Sequence, residues 1–198
     1  MKRRNITIAG RTYLNLEIKA KCFEQDKIRE KILCSDNAIF KGIDHQIDTY
    51  FNVNFGRLKL REGDIENCLI FYDRENVSGP KQSNVILYDR LGKDSGRALK
   101  KILMMSLGKL AEVDKKREIF FIENVKFHLD TVKDLGTFVE IEALSDNGKI
   151  TKDKLLEQCN YYLELFEIND EDLLKDSYSD MIKIAKTDDV GPRIVRNK

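Results

Sequence analysis

The chain has 198 residues, two prolines and no long tract of glycine, serine or proline, so its composition fits one large domain. Lysine and arginine total 35 against 34 aspartate and glutamate residues, and the formal net charge is +1. So small a net charge predicts neither a nucleic acid nor an anionic membrane as partner. No run of about 18 apolar residues occurs, so we expect a soluble, cytoplasmic protein whose functional charges are local.

The four cysteines stand far apart, and only two histidines accompany them. Wide spacing without a CxxC pair argues against a structural zinc site. We therefore expect buried, reduced thiols at Cys22, Cys34, Cys68 and Cys159.

Residues 13–22 alternate apolar and polar side chains with a period of two, which predicts a strand whose two faces differ. The next segment, residues 23–34, has apolar residues at helical spacing and predicts a short amphipathic helix. Between about residues 38 and 90 the alternation returns in four segments separated by turn signals. This region predicts a meander of antiparallel strands.

Residues 96–110 carry apolar residues at helical spacing and predict a helix with Gly108 near its C-terminus. Three further strands are predicted after this helix. They cover residues 113–123, 125–132 and 137–144.

The C-terminal part predicts two amphipathic helices, over residues 153–166 and 171–185, which cover an end or a side of the sheet. About eight strands and a few helices give an α+β fold. A closed or nearly closed eight-stranded antiparallel barrel would remove the exposed strand edges. The predicted boundaries are an N-terminal extension at 1–12, one domain at 13–182 and a C-terminal tail at 183–198.

Several predicted strands carry charged side chains at every second position, opposite an apolar face. Residues two apart on a strand point the same way, roughly 7 Å from each other, so each pair can reach one shared site. Acidic pairs can bind a hard cation, and basic pairs can bind phosphate oxygens. An ordinary solvated sheet face is the alternative. The charged positions are Arg57, Lys59 and Arg61, then Lys115 and Arg117, then Lys126, His128 and Asp130, then Glu140 and Glu142.

The strand NLEIKAK resembles the N-terminal ExExK signature of the CYTH superfamily, the triphosphate tunnel metalloenzymes. Later segments are similar, in the same order, to the class IV adenylate cyclase branch of that superfamily, which is related to thiamine triphosphatase. Together they span about residues 13–182, so the resemblance implies an eight-stranded barrel around a triphosphate tunnel. The segments are DTYFNVNFGRLKLRE, LIFYDRENVSGPKQS, KKRE, VKFHLDTVKDLGTFVEIEA and SYSDMI.

The resemblance also implies roles for individual positions. The expected carboxylate ligands of Mg²⁺ or Mn²⁺ are Glu17, Glu140 and Glu142, with Asp130 as a fourth. The expected triphosphate-binding residues are Lys19, Lys21, Arg57, Lys59, Arg61, Lys81, Lys115 and Arg117, and further candidates are Arg74 and Lys126. Three of these positions, Lys19, Arg117 and Asp130, are expected to take part in catalysis.

Asn15 stands where the ExExK pattern has its first glutamate. An amide oxygen can still coordinate Mg²⁺ or hold a metal-bound water, but it contributes no charge. For His128 a structural hydrogen bond is the expected role, with phosphate contact or proton transfer as the alternative. Tyr178 is expected to pack or cap the final helix, and Tyr50 either contacts ligand or belongs to the barrel wall.

The resemblance implies metal-dependent phosphoryl chemistry on ATP or another small triphosphate. The favoured reaction is that of an adenylate cyclase, which converts ATP to cyclic AMP and pyrophosphate. A thiamine, inorganic or nucleoside triphosphatase is the alternative. Asn15 keeps open a non-catalytic binder of polyphosphate or nucleotide, and a plain structural barrel is the last possibility. A homodimer fits this branch, although the sequence shows no interface.

Overall fold

The structure, a computed structural model, describes residues 11–74, 76–89, 91–146 and 148–188. The strands in the described part are β1 (Arg11–Lys21), β2 (Ala38–Phe51), β3 (Arg57–Glu62), β4 (Cys68–Arg74), β5 (Lys81–Tyr88), β6 (Lys109–Ile122), β7 (Val125–Val132) and β8 (Gly136–Asp146). The helices are α1 (Gln25–Leu33), α2 (Lys93–Leu107), α3 (Lys152–Leu165) and α4 (Tyr178–Asp188). No helix among the described residues is long and apolar enough to cross a membrane.

The strands form one closed antiparallel barrel in the order β1-β5-β4-β3-β2-β6-β7-β8. Closure comes from β1, which pairs with β5 on one side and with β8 on the other. The predicted eight-stranded barrel and the α+β class are therefore confirmed. Because the strands close on themselves, their backbone groups are paired within the sheet instead of being left at an open edge.

The predicted helix over residues 171–185 is wrong over its first half. The pairing of β1 with β5 ends at Glu17, so the rest of that edge needs another partner. Leu173 bridges to Ala20, and the Leu174 N–H donates to the Lys19 carbonyl at 2.8 Å. Because this stretch is extended, the last helix begins only at residue 178. β1 begins before residue 13 and α4 continues past residue 182, and the three domain boundaries stay predictions.

The main apolar core lies outside the barrel, between its wall and two helices. Ile18, Phe127 and Ile141 point outward from their strands and are almost completely buried. The Phe127 ring meets the Tyr162 ring edge to face, with centroids 4.7 Å apart. Burying each of these side chains contributes about 1.5 to 3 kcal/mol. The helix residues in the same core include Ile28 and Ile32 of α1 and Leu155, Cys159 and Tyr162 of α3.

A second apolar cluster lies inside the barrel, at the end covered by α4. Val113, Val132 and Phe138 point inward and pack against Tyr178 and Ile182 of that helix. The Phe138 and Tyr178 rings lie with centroids 5.0 Å apart. Apolar side chains therefore fill part of the interior at this end, and charged side chains begin next to Tyr178.

The helix predicted over residues 96–110 is confirmed as α2, and its end at Gly108 is also confirmed. Gly108 has a φ of 73°, which favours glycine, and its N–H donates to the Met104 carbonyl at 3.1 Å. The four cysteines are free, and Cys22, Cys68 and Cys159 are buried. Cys34 is exposed, because it lies just past the end of α1, so the expectation of a buried thiol is wrong there.

Asp44 on β2 holds the loop between β3 and β4 in place. Its carboxylate is buried and accepts hydrogen bonds from the backbone N–H groups of Asp64 at 2.6 Å, Ile65 at 2.8 Å and Glu66 at 3.0 Å. Three donors on one carboxylate leave the loop a single conformation. The loop thereby positions Glu66 beside the interior of the barrel.

Replacing Asp44 with alanine should lower the free energy of unfolding by about 3 kcal/mol, because three backbone N–H groups lose a charged acceptor. Chemical denaturation monitored by circular dichroism measures the change. The exposed Asp36 serves as a matched control, since Asp36→Ala should leave stability unchanged. Equal stability of the two variants would contradict the assigned role of Asp44.

Candidate active site

The inward-facing side chains of the barrel line a cavity of about 310 Å³, a volume found for small-molecule sites. Ser177 and Tyr178 lie at the end that α4 covers, and Tyr13 and Leu87 lie towards the other end. On β1 the alternation predicted from the sequence directs polar side chains into this cavity and apolar ones to the outer core. The predicted charged faces are therefore not solvated outer faces.

Asp48 on β2 is the centre of a cluster of cations. Its buried carboxylate accepts from Lys59 Nζ at 2.9 Å, Lys115 Nζ at 3.0 Å and Arg61 Nε and Nη2 at 2.8 and 2.9 Å. Burial alone would raise the pKa of Asp48, but Arg61, Lys115 and Lys59 lower it well below its usual range. One ionised carboxylate thus holds three side chains that would otherwise repel each other.

Lys115 is the most confined of these cations. Burial, together with the nearby Arg117 guanidinium, lowers the pKa of Lys115 to about 7, although Asp48 opposes the shift. A second carboxylate, Glu66, pairs with Arg61 and Lys126, so four cations face two carboxylates and positive charge is in excess on this side of the cavity. An anion bound there would supply the missing negative charge, which fits the predicted phosphate-binding role.

A second cluster joins β6, β7 and α4. Arg117 donates to Asp130 through Nε at 2.6 Å and through Nη2, and the same Nη2 lies 2.6 Å from Glu140 Oε2. The Tyr178 hydroxyl donates to Asp130 at 2.9 Å, and Lys19 Nζ lies 3.4 Å from the centre of the Tyr178 ring. Tyr178 therefore contacts two residues expected in catalysis, beyond the packing role that the sequence suggested.

Glu66 connects the Asp48 cluster to Lys126 on β7. Its carboxylate lies 2.6 Å from Arg61 Nη1 and 2.7 Å from Lys126 Nζ. Burial would raise the pKa of Glu66, but Lys126 and Arg61 lower it well below its usual range. Sequence reasoning missed this residue, since it lies in a loop where no periodicity predicts direction.

A candidate metal-binding group lies on β7 and β8. One ligand atom each from His128, Glu140 and Glu142 lie within 4.8 Å of one another. His128 Nδ1 is 3.0 Å from Glu140 Oε2 and 3.5 Å from Glu142 Oε1. Glu17 stands directly across from Glu142 on β1, but its carboxylate is paired with Arg74 and is not one of these three ligands. Asp130, the fourth expected carboxylate, is instead held by Arg117 and Tyr178.

The charge states of this group suit metal coordination. Burial, reinforced by Arg117, lowers the pKa of His128 to about 4, so the ring is neutral at pH 7. Burial would raise the pKa of Glu140, but Arg117 and Lys19 lower it well below its usual range. Neutral imidazole and ionised carboxylate are the forms that bind metal ions.

Four residues that line the cavity each have a buried polar atom with no hydrogen-bond partner among the residues that the structure describes. The four atoms are Asn15 Oδ1, Arg74 Nε, Ser83 Oγ and His128 Nε2. Buried polar atoms are normally paired, so these mark the place of a ligand, an ion or water. Carboxylate and amide oxygens are the donors that Mg²⁺ and Mn²⁺ accept. The donor set therefore fits the divalent metal that the resemblance implies.

Most of the predicted triphosphate-binding residues meet in the cavity. Those that line it are Lys19, Lys59, Arg61, Lys115 and Arg117, together with the further candidates Arg74 and Lys126. Three others are placed elsewhere. Lys21 is exposed at the end of β1, Arg57 reaches Asp180 of α4 at 3.2 Å, and Lys81 donates to the Leu174 carbonyl. Binding roles for these three stay predictions.

The cavity also has an apolar wall. Ile70 and Tyr72 of β4 and Val85 and Leu87 of β5 line it. In the closed strand order β4 stands four places from β7, so this wall lies across the barrel from His128. The cavity thus offers an apolar surface across from His128 and next to the cations of β3.

The chain is similar to known proteins over most of its length. The family model described as the CYTH domain matches residues 14–178. A protein of Methanocaldococcus jannaschii named "Putative adenylate cyclase" is 22% identical over 179 residues, which cover 85% of this chain and 98% of that protein.

Solved structures of similar proteins show the same fold. A "putative adenylate cyclase" of Vibrio parahaemolyticus has a TM-score of 0.67 at 18% identity, covering 86% of this chain and 98% of that one. A "conserved hypothetical protein" of Pyrococcus furiosus has a TM-score of 0.63 at 23% identity, covering 84% and 98%.

Replacing Asp48 with asparagine should lower the free energy of unfolding by about 3 kcal/mol or more, because Arg61 and Lys115, which are buried, and the partly buried Lys59 lose the carboxylate that they share. The stability that Asp48 contributes is present above its unfolded pKa of about 3.8 and is lost as pH falls through its lower folded pKa. Denaturation of both proteins should therefore show a large difference at pH 7 that shrinks below pH 3.8.

The same variant tests the excess of positive charge. Inorganic triphosphate at pH 7 should stabilise Asp48→Asn more than the unchanged protein, since the added anion replaces the lost charge. The control is Asp36→Asn, an exposed substitution that should behave like the unchanged protein. Equal stabilisation of all three proteins would contradict an anion site at this cluster.

Proposed function

Because this chain belongs to the CYTH domain family, we propose that it catalyses a metal-dependent phosphoryl reaction on a small triphosphate, specifically the conversion of ATP to cyclic AMP and pyrophosphate. Family membership supports the broader part, a metal-dependent reaction on a triphosphate. The names of the relatives in Methanocaldococcus jannaschii and Vibrio parahaemolyticus favour the cyclase. The observation that carries the proposal is the meeting of paired cations and metal-binding carboxylates in one cavity.

The phosphate chain is assigned to the cationic part of the cavity. Lys59, Arg61 and Lys115 are held by Asp48, and Arg117 is held by Asp130. Donors that are already fixed stabilise charge on a phosphoryl group without first having to be ordered. Catalysis by positioning and electrostatics needs no nucleophilic side chain.

The residues that would hold the divalent metal, Mg²⁺ or Mn²⁺, are Glu17, Glu140 and Glu142, with the Asn15 amide oxygen beside them. When bound, such an ion neutralises phosphate charge and polarises phosphoryl oxygens. Glu140 also contacts Lys19 Nζ at 2.6 Å, so the carboxylates and the cations share one continuous network. Phosphate oxygens placed between them can therefore be contacted from both sides.

In the cyclase reaction the ribose 3′ oxygen forms a bond to the α phosphorus, and the bond from that phosphorus to its bridging oxygen breaks. A base takes up the hydroxyl proton, and pyrophosphate leaves with the bridging oxygen. The protein has to hold the ribose oxygen in line with the departing group and to neutralise the charge on pyrophosphate. Lys59, Arg61 and Lys115 are in place for the second task.

The apolar wall favours a substrate with an organic end. Inorganic triphosphate offers no apolar group to the wall formed by Ile70, Val85 and Leu87, whereas a nucleoside would pack against it. This wall lies opposite the metal-binding group, so phosphate and organic moiety can be bound at once. ATP has a phosphate chain for the cationic part of the cavity and a nucleoside for the apolar wall.

The decisive experiment is product analysis by chromatography after incubation with Mg²⁺ or Mn²⁺ and, separately, ATP, inorganic triphosphate and thiamine triphosphate. We expect cyclic AMP and pyrophosphate from ATP. The Glu140→Gln variant should lower the rate at least about 100-fold, because it removes a charged ligand. His45→Gln, an exposed substitution outside the cavity, should keep the rate unchanged.

Other outcomes reassign the reaction. Orthophosphate without cyclic AMP would make the protein a triphosphatase. Tight binding of triphosphates without turnover, unchanged by Asn15→Glu, would make it a non-catalytic binder. The absence of both binding and turnover would refute a triphosphate site.

Leu87→Asn tests the organic subsite. Replacing this apolar side chain should weaken ATP binding about tenfold, because roughly 1.5 kcal/mol of apolar contact is lost. Binding of inorganic triphosphate should stay within about twofold of the unchanged protein. Ile86→Asn, on the outer face of the same strand, is the matched control. Titration calorimetry measures both ligands, and equal weakening of both would refute the assignment of the wall.

A further inference from the structure

His128 is the nitrogen donor of the candidate metal-binding group. Its Nδ1 lies 3.0 Å from Glu140 Oε2 and 3.5 Å from Glu142 Oε1. Ligand atoms about 2.1 Å from one metal ion are roughly 3.0 to 3.4 Å apart at octahedral or tetrahedral angles. The two distances from Nδ1 are in or close to this range, and all three ligand atoms lie within 4.8 Å of one another, so a modest movement of the carboxylates would let them coordinate one ion.

The surroundings of the ring point to a ligand as well. His128 is 1% exposed and lines the cavity, yet its Nε2 has no hydrogen-bond partner among the residues described here. A histidine kept only for structure would normally have both nitrogens paired when buried. Because no partner holds Nε2, the ring can present either nitrogen to the carboxylates without losing a second hydrogen bond.

Imidazole nitrogen and carboxylate oxygen prefer different ions. Mg²⁺ takes oxygen ligands almost alone, whereas first-row transition ions also accept imidazole. We propose that His128 is a metal ligand and that it makes the site bind a first-row transition ion, such as Mn²⁺, more tightly than Mg²⁺. The inference rests on the proposed function only in placing the metal beside Glu140 and Glu142.

The simpler role for His128 is the hydrogen bond from Nδ1 to Glu140, which the sequence interpretation favoured. That role predicts a loss of stability on substitution but no effect on which ion binds. His128→Asn separates the two, because its side-chain NH₂ can take the place of the Nδ1 donor while the imidazole is absent. The test therefore needs a readout of the metal itself.

Titration calorimetry with Mn²⁺ alone and Mg²⁺ alone gives the first readout. The unchanged protein should bind Mn²⁺ at least about tenfold more tightly than Mg²⁺. His128→Asn and His128→Gln should lose at least about tenfold in Mn²⁺ affinity and less than about threefold in Mg²⁺ affinity. His128→Asp should bring the two affinities together, since it replaces nitrogen with oxygen.

Pulsed electron paramagnetic resonance of the Mn²⁺ complex gives a direct readout. With ¹⁵N-labelled histidine, a bound imidazole nitrogen couples to the electron spin. The chain has only two histidines, and His45 is exposed and paired with Asp114 at 2.8 Å. The coupling should persist in His45→Gln and disappear in His128→Gln.

The outcomes separate this inference from the proposed reaction. Nitrogen coupling in a protein that turns over no triphosphate would support the ligand and refute the reaction. Turnover of ATP without nitrogen coupling, or Mn²⁺ affinity unchanged in every folded His128 variant, would refute the ligand and leave the reaction standing. Circular dichroism confirms that each variant is folded.

Discussion

The structure depends on pairing charges inside a closed barrel. Taking a charged side chain out of water costs several kcal/mol unless an opposite charge and hydrogen bonds compensate. Asp48, buried with Lys59, Arg61 and Lys115, is the clearest case, and Asp130 does the same for Arg117. Without these carboxylates the cations could not be concentrated in so small a space. The interior is therefore built for binding as much as for stability, since an apolar interior would be simpler to stabilise.

The pairing of buried polar groups is incomplete on one side of the cavity. Asn15 Oδ1, Ser83 Oγ and His128 Nε2 are buried without hydrogen-bond partners among the described side chains. They lie on the side of the cavity that also supplies Glu17 and Glu142. Folding has already removed these atoms from water at a cost in free energy. A ligand that forms hydrogen bonds to them would recover that free energy. Such groups make the folded state less stable than it could be and make binding correspondingly more favourable.

Much of the barrel could be predicted from the sequence, because a period of two fixes which side chains share a face. That rule predicts that Lys59 shares a face with Arg61, Lys115 with Arg117 and Glu140 with Glu142. It fails where the chain leaves regular structure. Glu66 lies in a loop. Leu173 and Leu174 pair with β1, although their sequence pattern is helical. Lys21 and Lys81 have the predicted phase, but they lie near strand ends, where phase alone does not bring a side chain into the cavity.

The closure of the barrel through β1 has a consequence for how the protein folds during synthesis. β1 is made before the other seven strands, yet its partners lie far along the chain, with Glu17 opposite Glu142 and Ala20 bridged to Leu173. Contacts so distant in sequence slow folding, because long loops must close at a cost in entropy before the strands can pair. A ribosome-bound fragment that lacks residues after 140 cannot close the barrel, so its charged interior stays open to water. The closed cavity therefore forms only after β8 has been made and has paired with β1.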